Sequence, residues 1–515
     1  MDTSNTPTPA PSRKKMSARD FKKIWRNEMP IPFLLQDNIR SSFNENNEKE
    51  LTLEGIYIDE DIKLADETST FCNLVLWDCL LWNITFTNLK VQSISFKHKS
   101  QSGAFTISNC KIAEISIHDN CSTGAFIIDK STLGEIYMSY SKTPVLYVKN
   151  SSIIASVRIW HSNIQKIQVW GFSNIALFRC HLGLHIPTQI TLKNSDFVQI
   201  DFDDTVFPEF TTLNISECRI NKLTIRNFRN YGTAFFCNLT PLWFWNEFGR
   251  DENESIIFND GNFYFEKRTN QESTLSFIDS DLGRVQFINC DLQLYHHFEY
   301  SNTRMLDVFV AGSEMPDSES FRLQDEKSLK IAFSQKELEK RKAPQKRLAY
   351  GQFKKIYENQ GDIASSLRYL AHEMNAYLDE LDLNSKNWYD HFGERLMLRL
   401  NRWSTNYGNS WWLGVQKTFV AVLIGYLFYC GSLGFRPGYD FATAVNLASY
   451  GFQYVNPFSD PVIPKELLPN VPESDFWTTW MLPTFRVLDY ITRFLVAYFA
   501  YQTIQAFRKL GKSSG

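Results

Sequence analysis

The sequence has no CxxC pair, although it contains nine cysteines in 515 residues. Their spacing therefore predicts neither a zinc site nor a thioredoxin-like redox centre. An HExxH metal motif is also lacking, because His372 and Glu373 are followed by Ala376 where the second histidine would stand. No Ser/His/Asp order, paired-acid motif or phosphate-binding loop stands out. We therefore expect a protein that is not an enzyme and that uses no metal ion and no cofactor.

Charge of one sign is not in excess either, since the formal net charge is -3. Bulk charge thus gives no reason to expect a nucleic-acid binder. The first residues, MDTSNTPTPAPSRKK, lack the apolar stretch of a signal peptide. We expect the water-exposed part of the chain in the cytoplasm, where thiols stay reduced. Residues 1–50 are interpreted as a flexible segment, and the phrase FKKIW at 21–25 is either part of a regulatory tail or of a disordered chain.

What the sequence does contain is an internal repeat. Six segments, starting at residues 72, 103, 124, 188, 211 and 273, share one frame of five apolar residues. The first two apolar residues are two positions apart, and the third, fourth and fifth follow after five, three and two positions. The first two copies read Leu74, Leu76, Leu81, Ile84, Phe86 and Phe105, Ile107, Ile112, Ile115, Ile117.

Apolar residues two apart are typical of a strand that buries one face, and the longer spacings indicate corners. Adjacent copies start 20 to 23 residues apart, enough for one turn of a β-solenoid. A small residue recurs three positions after the second apolar one, where it would let the chain turn tightly. This column explains several cysteines without redox chemistry; its members are Cys79, Cys110, Ser131, Ser195, Cys218 and Ser280.

Segments such as FTISNCKI and LNISECRI resemble degenerate pentapeptide repeats. That resemblance implies a right-handed quadrilateral β-helix, although the five-residue period is not sustained and an irregular β-helix fits equally well. We predict a mainly β-solenoid fold over residues 51–325. The aromatic-rich residues 226–272 break the frame and are interpreted as an insertion, with their aromatics either on a partner surface or packed on the solenoid.

Residues 326–405 change to a charged pattern with apolar residues three and four apart, which predicts an α-helical connector. Gly361 is expected to end one helix and Asp362 to cap the next. The phrase around them resembles the segment that follows the repeats in bacterial membrane-anchored pentapeptide-like repeat proteins. The matching residues are Phe353, Lys354, Glu358, Gly361, Asp362, Ala364, Glu373 and Met374.

A basic run in this connector forms a candidate docking surface for anionic lipid headgroups or for a nucleotide-type signal. A solvated helix face with glutamate partners is the alternative. The candidate docking residues are Lys340, Arg341, Lys342, Lys346 and Arg347.

Residues 406–515 are predicted to form a two-helix transmembrane domain. Residues 418–435 carry no charge and follow Trp411 and Trp412, and residues 487–507 are long enough to span. Basic residues lie just before the first predicted span and just after the second, whereas acidic residues dominate the segment between the two spans. The positive-inside rule then places the chain in the inner membrane with the solenoid and both termini in the cytoplasm.

Three charged residues near the second predicted span share one helix face: Arg486, Asp489 and Arg493. They either line a pore between several copies or neutralise one another near the outer interface. Residues 439–458, with Asn446 and Ser449 as further pore-lining candidates, are either a re-entrant segment or an external hairpin. No TVGYG filter is present, so potassium selectivity is not implied.

Two helices per chain cannot enclose a pore, so a channel requires a symmetric homo-oligomer, with a tetramer favoured. The order of domains resembles membrane effectors of bacterial antiphage systems of the Hailong type. The resemblance implies a tetrameric channel that is held shut by a DNA oligomer from a partner nucleotidyltransferase. The alternative is a membrane-tethered scaffold whose solenoid binds a protein.

Overall fold

The structure is a computed structural model that divides into two compact units, Met1–Leu329 and Lys330–Gly515. The first is called the solenoid unit and the second the helical unit. The description covers residues 13–511 except 33–34, 44–48, 66–72, 151, 172, 182–187, 243–253, 260–261, 268–271, 306, 318, 324–325, 386, 388 and 433–481.

The solenoid unit contains two long sheets, to which successive turns contribute. The first sheet has 14 strands. Its strands are β1 (Lys14–Lys15), β4 (Ile56–Ile58), β5 (Ile62–Ala65), β7 (Leu80–Leu81), β8 (Ile84–Thr87), β10 (Gln101–Ser108), β12 (Ser122–Asp129), β14 (Val145–Lys149), β16 (Lys166–Val169), β18 (Gln189–Lys193), β21 (Thr212–Ser216), β24 (Thr233–Cys237), β28 (Arg284–Ile288) and β30 (Phe309–Ala311).

The second sheet has 13 strands, and only its β2–β3 pair is antiparallel. The coil makes about 11 turns, which is consistent with a pentapeptide-repeat β-helix. The strands of the second sheet are β2 (Ile39–Phe43), β3 (Lys49–Glu54), β6 (Asn73–Trp77), β9 (Lys90–Lys97), β11 (Lys111–Ile117), β13 (Thr132–Ser139), β15 (Ile153–Trp160), β17 (Asn174–His181), β19 (Asp196–Asp203), β22 (Arg219–Arg226), β27 (Thr274–Ile278), β29 (His297–Ser301) and β31 (Phe321–Arg322).

The core between the sheets is built from the predicted apolar frame, whose members are buried in all six copies. In-register pairing stacks equivalent residues: Phe105 lies beside Phe126 on one sheet, and Ile115 beside Ile136 on the other. Vertical columns of apolar side chains thereby run through successive turns. The solenoid prediction is confirmed.

The corners between the sheets use backbone in the left-handed region. Asn88 and Asn109 have φ values of 57° and 52°, and the Asn109 side-chain amide donates to Asn88 Oδ1 at 2.6 Å. Asparagine tolerates this conformation better than most residues. The predicted small residue comes immediately after such a corner: Cys110 follows Asn109, and its thiol donates to the Ser108 carbonyl.

Within residues 1–50, which the sequence suggested to be a flexible segment, the structure describes regular elements, among them a helix at Ala18–Trp25. Helix α1 (Ala18–Trp25) buries Phe21, Ile24 and Trp25, and the Trp25 ring stacks on Phe86 of β8 at 6.5 Å. The polar composition of the first 50 residues hid three apolar side chains on one face of a short helix. The apolar residues of FKKIW therefore pack against the first turns of the solenoid.

The predicted insertion begins later than the broken frame suggests. Strands β23 (Arg229–Asn230) and β24 still belong to the coil: β23 pairs with β20 (Val206–Phe207), and β24 pairs with β21 and β28. An antiparallel hairpin, β25 (Glu254–Asn259) and β26 (Asn262–Lys267), lies outside the coil. A short 3-10 helix follows at Leu292–Leu294.

The helices after the solenoid strands begin with α2 (Glu326–Ala332) and end with α7 (Leu482–Gly511). Between them lie α3 (Gln335–Asn359), α4 (Ile363–Asn384), α5 (Phe392–Thr405) and α6 (Trp411–Ser432). The α3–α4 hairpin turns as predicted, since Gly361 has a φ of 77° and the Asp362 side chain accepts from the Ser365 amide at 3.0 Å.

The two predicted transmembrane helices require a correction. Helices do form at both places, as α6 and α7. Within the described part of the chain, however, no helix combines the length and the apolarity needed to cross a bilayer. Lys417 near the start of α6 and Arg493 inside α7 both lower the apolarity of these helices.

Candidate functional surfaces

Helices α6 and α7 pack against each other in opposite directions. Ala421 and Val422 of α6 form a buried cluster with Val496 and Phe499 of α7. About two turns earlier on α6, the backbone of Gly414 lies against the α7 side chain Thr503. Small residues at this point allow the two helices to approach closely.

The faces of α6 and α7 that point away from this contact carry large apolar side chains that are exposed. Phe494 is 68% exposed, and its neighbours along both helices share this property. Apolar side chains that are exposed as a group, and not singly, are typical of a contact surface. The exposed apolar side chains, called here the apolar face, are Phe419, Val420, Leu423, Ile424, Val487, Tyr490, Ile491, Phe494, Tyr501 and Ile504.

One end of the α6–α7 pair combines aromatic and basic side chains. The rings of Trp411 and Phe507 meet edge to face at 6.1 Å, and Trp403 of α5 packs against Phe499 at 5.0 Å. Lys417 Nζ lies 5.1 Å from the centre of the Trp403 ring. Aromatic rings and cations together at a helix end are typical of the interface between water and lipid.

A groove of about 570 Å³ opens beside this end, between α4, α5 and α6. Asp382 on one wall accepts from Arg399 at 3.0 Å and forms a second ion pair with Arg395 at 3.6 Å. Burial raises the pKa of the Asp379 carboxyl, and the nearby cations Lys346 and Arg402 oppose that rise. The polar and aromatic lining consists of Asp379, Asp382, Arg399, Arg402, Trp403 and Lys417.

The five candidate docking residues on α3 do not share one surface. Lys342 is buried, whereas Lys340 is exposed. Arg341 is exposed and lies over the Phe333 ring at 3.9 Å. Lys346 is half-buried. Arg347 donates to Glu380 at 2.8 Å, and it also covers the ring of Tyr377. The helical repeat therefore turns these side chains in different directions, and only Lys340 and Arg341 present an exposed cationic pair.

Of the five pore-lining candidates, the structure gives a surrounding only for Arg493, which is half-buried on α7. Arg486 and Asp489 fall within the bounds of α7, but their side chains lie outside the described set. Asn446 and Ser449, with the rest of residues 439–458, also lie outside the described residues. A shared pore face thus stays a prediction.

The family-like phrase around the α3–α4 turn has a structural explanation. Phe353 is buried against the Tyr369 ring at 5.5 Å, and Lys354 donates to Glu373 at 3.0 Å across the hairpin. With Gly361 at the turn, these residues fix the geometry of two antiparallel helices. The phrase predicts a helical hairpin more directly than it predicts a ligand site.

Along the edge of the second sheet where β13, β15 and β17 end, aromatic and imidazole rings form a stack that the sequence did not reveal. The rings of Trp160 and His181 are stacked at 4.4 Å, and those of Tyr140 and His161 at 5.4 Å. Trp160 and Tyr140 are exposed, and desolvation lowers the pKa of His161. The stacked residues are about one turn apart in sequence. Aromatic and histidine residues that recur at the 20-to-23-residue spacing of the repeat are therefore the sequence signal for this stack.

The cysteines of the corner column are buried, and burial raises the pKa of Cys79 to about 12. Thiols in this state are poor nucleophiles, in agreement with the structural role that the sequence predicts. Among the residues that the structure describes, no group of three or more His, Cys, Asp or Glu side chains is arranged to hold a metal ion.

No family model and no curated protein matches the chain.

Proposed function

We propose that this protein is an oligomeric effector that acts at a membrane through its helical unit and is controlled through its solenoid unit. The observation that carries the proposal is the apolar face of α6 and α7. Ten large apolar side chains would otherwise be exposed to water. Covering them would be favourable by about 25 cal/mol for each Å² of apolar surface removed from water. Lipid tails or further copies of the chain would cover them.

Two further observations support the same proposal. The α6–α7 contact is close at Gly414 and Thr503, as in helix pairs that pack in lipid. Tryptophans and cations gather at one end of the pair. Because no described helix has the length and apolarity to cross a bilayer by itself, a pore would need several such pairs around one axis, with Arg493 turned toward that axis and away from lipid. We propose a homotetramer of this kind in the inner membrane, with solenoid and termini in the cytoplasm.

The first test is membrane association of the full chain in bacteria. Ile491→Asp with Phe494→Asp places two charges on the apolar face, where their desolvation in lipid is costly. We expect this variant to leave the membrane fraction or to fail to accumulate. Ile331→Asp is the matched control, because Ile331 on α2 is 91% exposed outside the apolar face. A wild-type chain found only in the soluble fraction would refute the proposal.

The second test is membrane depolarisation, measured with a potential-sensitive dye. A variant with Arg486, Asp489 and Arg493 replaced by alanine is compared with the wild type at equal membrane levels. Depolarisation that disappears in this variant supports a channel lined by that helix face. Depolarisation that persists unchanged removes these residues from the pore.

A second candidate function is a membrane-tethered scaffold whose solenoid binds a protein partner. The exposed ring stack at Trp160 and Tyr140 favours it, since exposed aromatic side chains are enriched in binding surfaces. A chimera with an unrelated anchoring helix pair separates the two functions: a scaffold keeps its activity and a channel loses it. A role in antiphage defence, a DNA-oligomer signal and a partner nucleotidyltransferase remain predictions of the family resemblance.

A further inference from the structure

We propose that the groove between α4, α5 and α6 binds the phosphate group of an anionic membrane lipid through Arg402 and Lys417. This site rests on the proposed membrane function and adds to it a ligand and two named contacts. It differs from the docking residues on α3 that the sequence suggested.

The charges that line the groove leave two cations available. Asp382 is already neutralised by Arg399 and Arg395. Across the described ranges, neither Arg402 nor Lys417 forms an ion pair with a carboxylate. Asp379 is the remaining acid, so the lining carries three cations, Arg399, Arg402 and Lys417, against two carboxylates. The lining therefore favours an anion, and phosphate oxygens accept hydrogen bonds from both arginine and lysine.

The aromatic lining indicates that the anion belongs to a lipid. Trp403 is 49% exposed, and its ring lies beside Lys417 Nζ. Two residues after Lys417 on α6, Phe419 begins the apolar face. A lipid with its phosphate at Arg402 and Lys417 can thus lay its acyl chains along α6. A soluble phosphate compound would leave that apolar surface uncovered.

The geometry also provides a matched control. Lys90 of β9 and Lys111 of β11 are an exposed pair in the solenoid unit, with the same total charge as Arg402 and Lys417. Their removal changes the net charge of the chain equally, but it leaves the groove intact. An effect confined to the groove pair therefore cannot come from bulk charge.

The experiment uses the full chain in a neutral detergent, titrated with short-chain phosphatidylglycerol or with phosphatidylcholine of the same chain length. Each cation near a lipid phosphate contributes about 1 kcal/mol. We expect Arg402→Ala with Lys417→Ala to weaken phosphatidylglycerol binding about 30-fold, since about 1.4 kcal/mol corresponds to a factor of ten. Arg402→Lys with Lys417→Arg keeps the charges and should retain most of the binding, which separates charge loss from misfolding.

Three outcomes would overturn the site. One is equal binding of both lipids by the wild type, and another is an equal loss in the Lys90/Lys111 double-alanine variant. The third is displacement of the lipid by low millimolar inorganic phosphate, which would identify a soluble phosphate as the ligand. The groove variant should stay in the membrane fraction, because the apolar face is intact. Loss of the wild type from that fraction would instead refute the proposed membrane function.

Discussion

Gly414 of α6 lies so close to Thr503 of α7 that a side-chain carbon at position 414 would overlap the threonine hydroxyl. The Thr405 methyl group would also stand 3.0 Å from that carbon. The contact therefore joins three helices at one point, and the absence of a side chain on Gly414 is what allows it. Any larger residue must separate α6 from α7.

Gly414→Val should destabilise the helical unit by about 1–3 kcal/mol, the usual cost of overpacking. The free energy of unfolding, measured by denaturant titration of the full chain in detergent, tests this. Gly393→Ala is the control, since a Cβ on Gly393 in α5 meets nothing within 4 Å. Replacing that helical glycine should instead stabilise the chain by about 0.5–1 kcal/mol. Equal effects of the two substitutions would contradict the close approach.

Trp25→Ala should destabilise the first turns of the solenoid, because Trp25 is fully buried and packs on Phe86. Removal of a buried tryptophan side chain typically costs about 3–5 kcal/mol. Hydrogen exchange followed by mass spectrometry should show faster exchange in β5 and β8 than in later strands. Arg19→Ala, at an exposed position of the same helix, should leave that exchange unchanged. A uniform change in exchange rate along the whole coil would contradict the expectation that Trp25 stabilises only the first turns.

Lys130→Asn should stabilise the solenoid unit by about 1 kcal/mol. Lys130 occupies a corner with a φ of 47°, a conformation that asparagine adopts at a lower free-energy cost than lysine. The asparagine would also stand between the corner residues Asn109 and Asn150 of the neighbouring turns. Lys130→Ala keeps the unfavourable backbone conformation and serves as the control. Thermal unfolding of both variants gives the comparison, and a gain in the alanine variant alone would exclude the backbone explanation.

The buried cysteines should resist alkylation at alkaline pH while the chain is folded. Burial raises the pKa of Cys218 to about 12 and that of Cys290 to about 11, so little reactive thiolate forms near pH 9. Among the seven cysteines that the structure describes, Cys237 is half-buried and the others are buried, so it should react with iodoacetamide before them. Mass spectrometry of labelled peptides measures the order. Early labelling of Cys218 would contradict its buried position.

The same thiols make stability depend on alkaline pH. The folded chain holds these protons more tightly than the unfolded chain, whose thiols titrate near pH 9. Their contribution is therefore fully present below pH 9 and is lost as the pH rises through 9 toward about 12. We expect the free energy of unfolding to fall over this window, by about 1.4 kcal/mol per pH unit for each such thiol. Cys218→Ser should make the decline less steep.

The apolar frame was enough to predict the solenoid, because burial of one strand face depends on a short local pattern. Its copies do not share one phase, however. Leu74 and Leu76 start the first copy on the second sheet, whereas Phe105 and Ile107 start the next on the first sheet. Each half-turn has the same strand and corner geometry, so the frame fits either half. The sequence alone therefore predicts that the chain coils, but it does not predict which of the two sheets each strand joins.

Other features depend on contacts between residues far apart in sequence. The packing of Trp25 on Phe86 and the stacking of Trp160 on His181 arise only when the chain has coiled. On α3, composition predicted a basic surface, whereas the helix buries Lys342 and pairs Arg347 with Glu380. The groove at Arg402 joins three helices, and no local motif signals it.

The in-register pairing of the coil has a consequence for the size of the molecule. About 11 turns spaced roughly 4.8 Å apart give the solenoid a length of about 50 Å. Each inner turn contacts mainly the turns before and after it, so a duplication of 20 to 23 residues lengthens the rod by one step and leaves both ends unchanged. Insertion or deletion of whole turns can therefore change the length of the solenoid in evolution without changing the packing of its core.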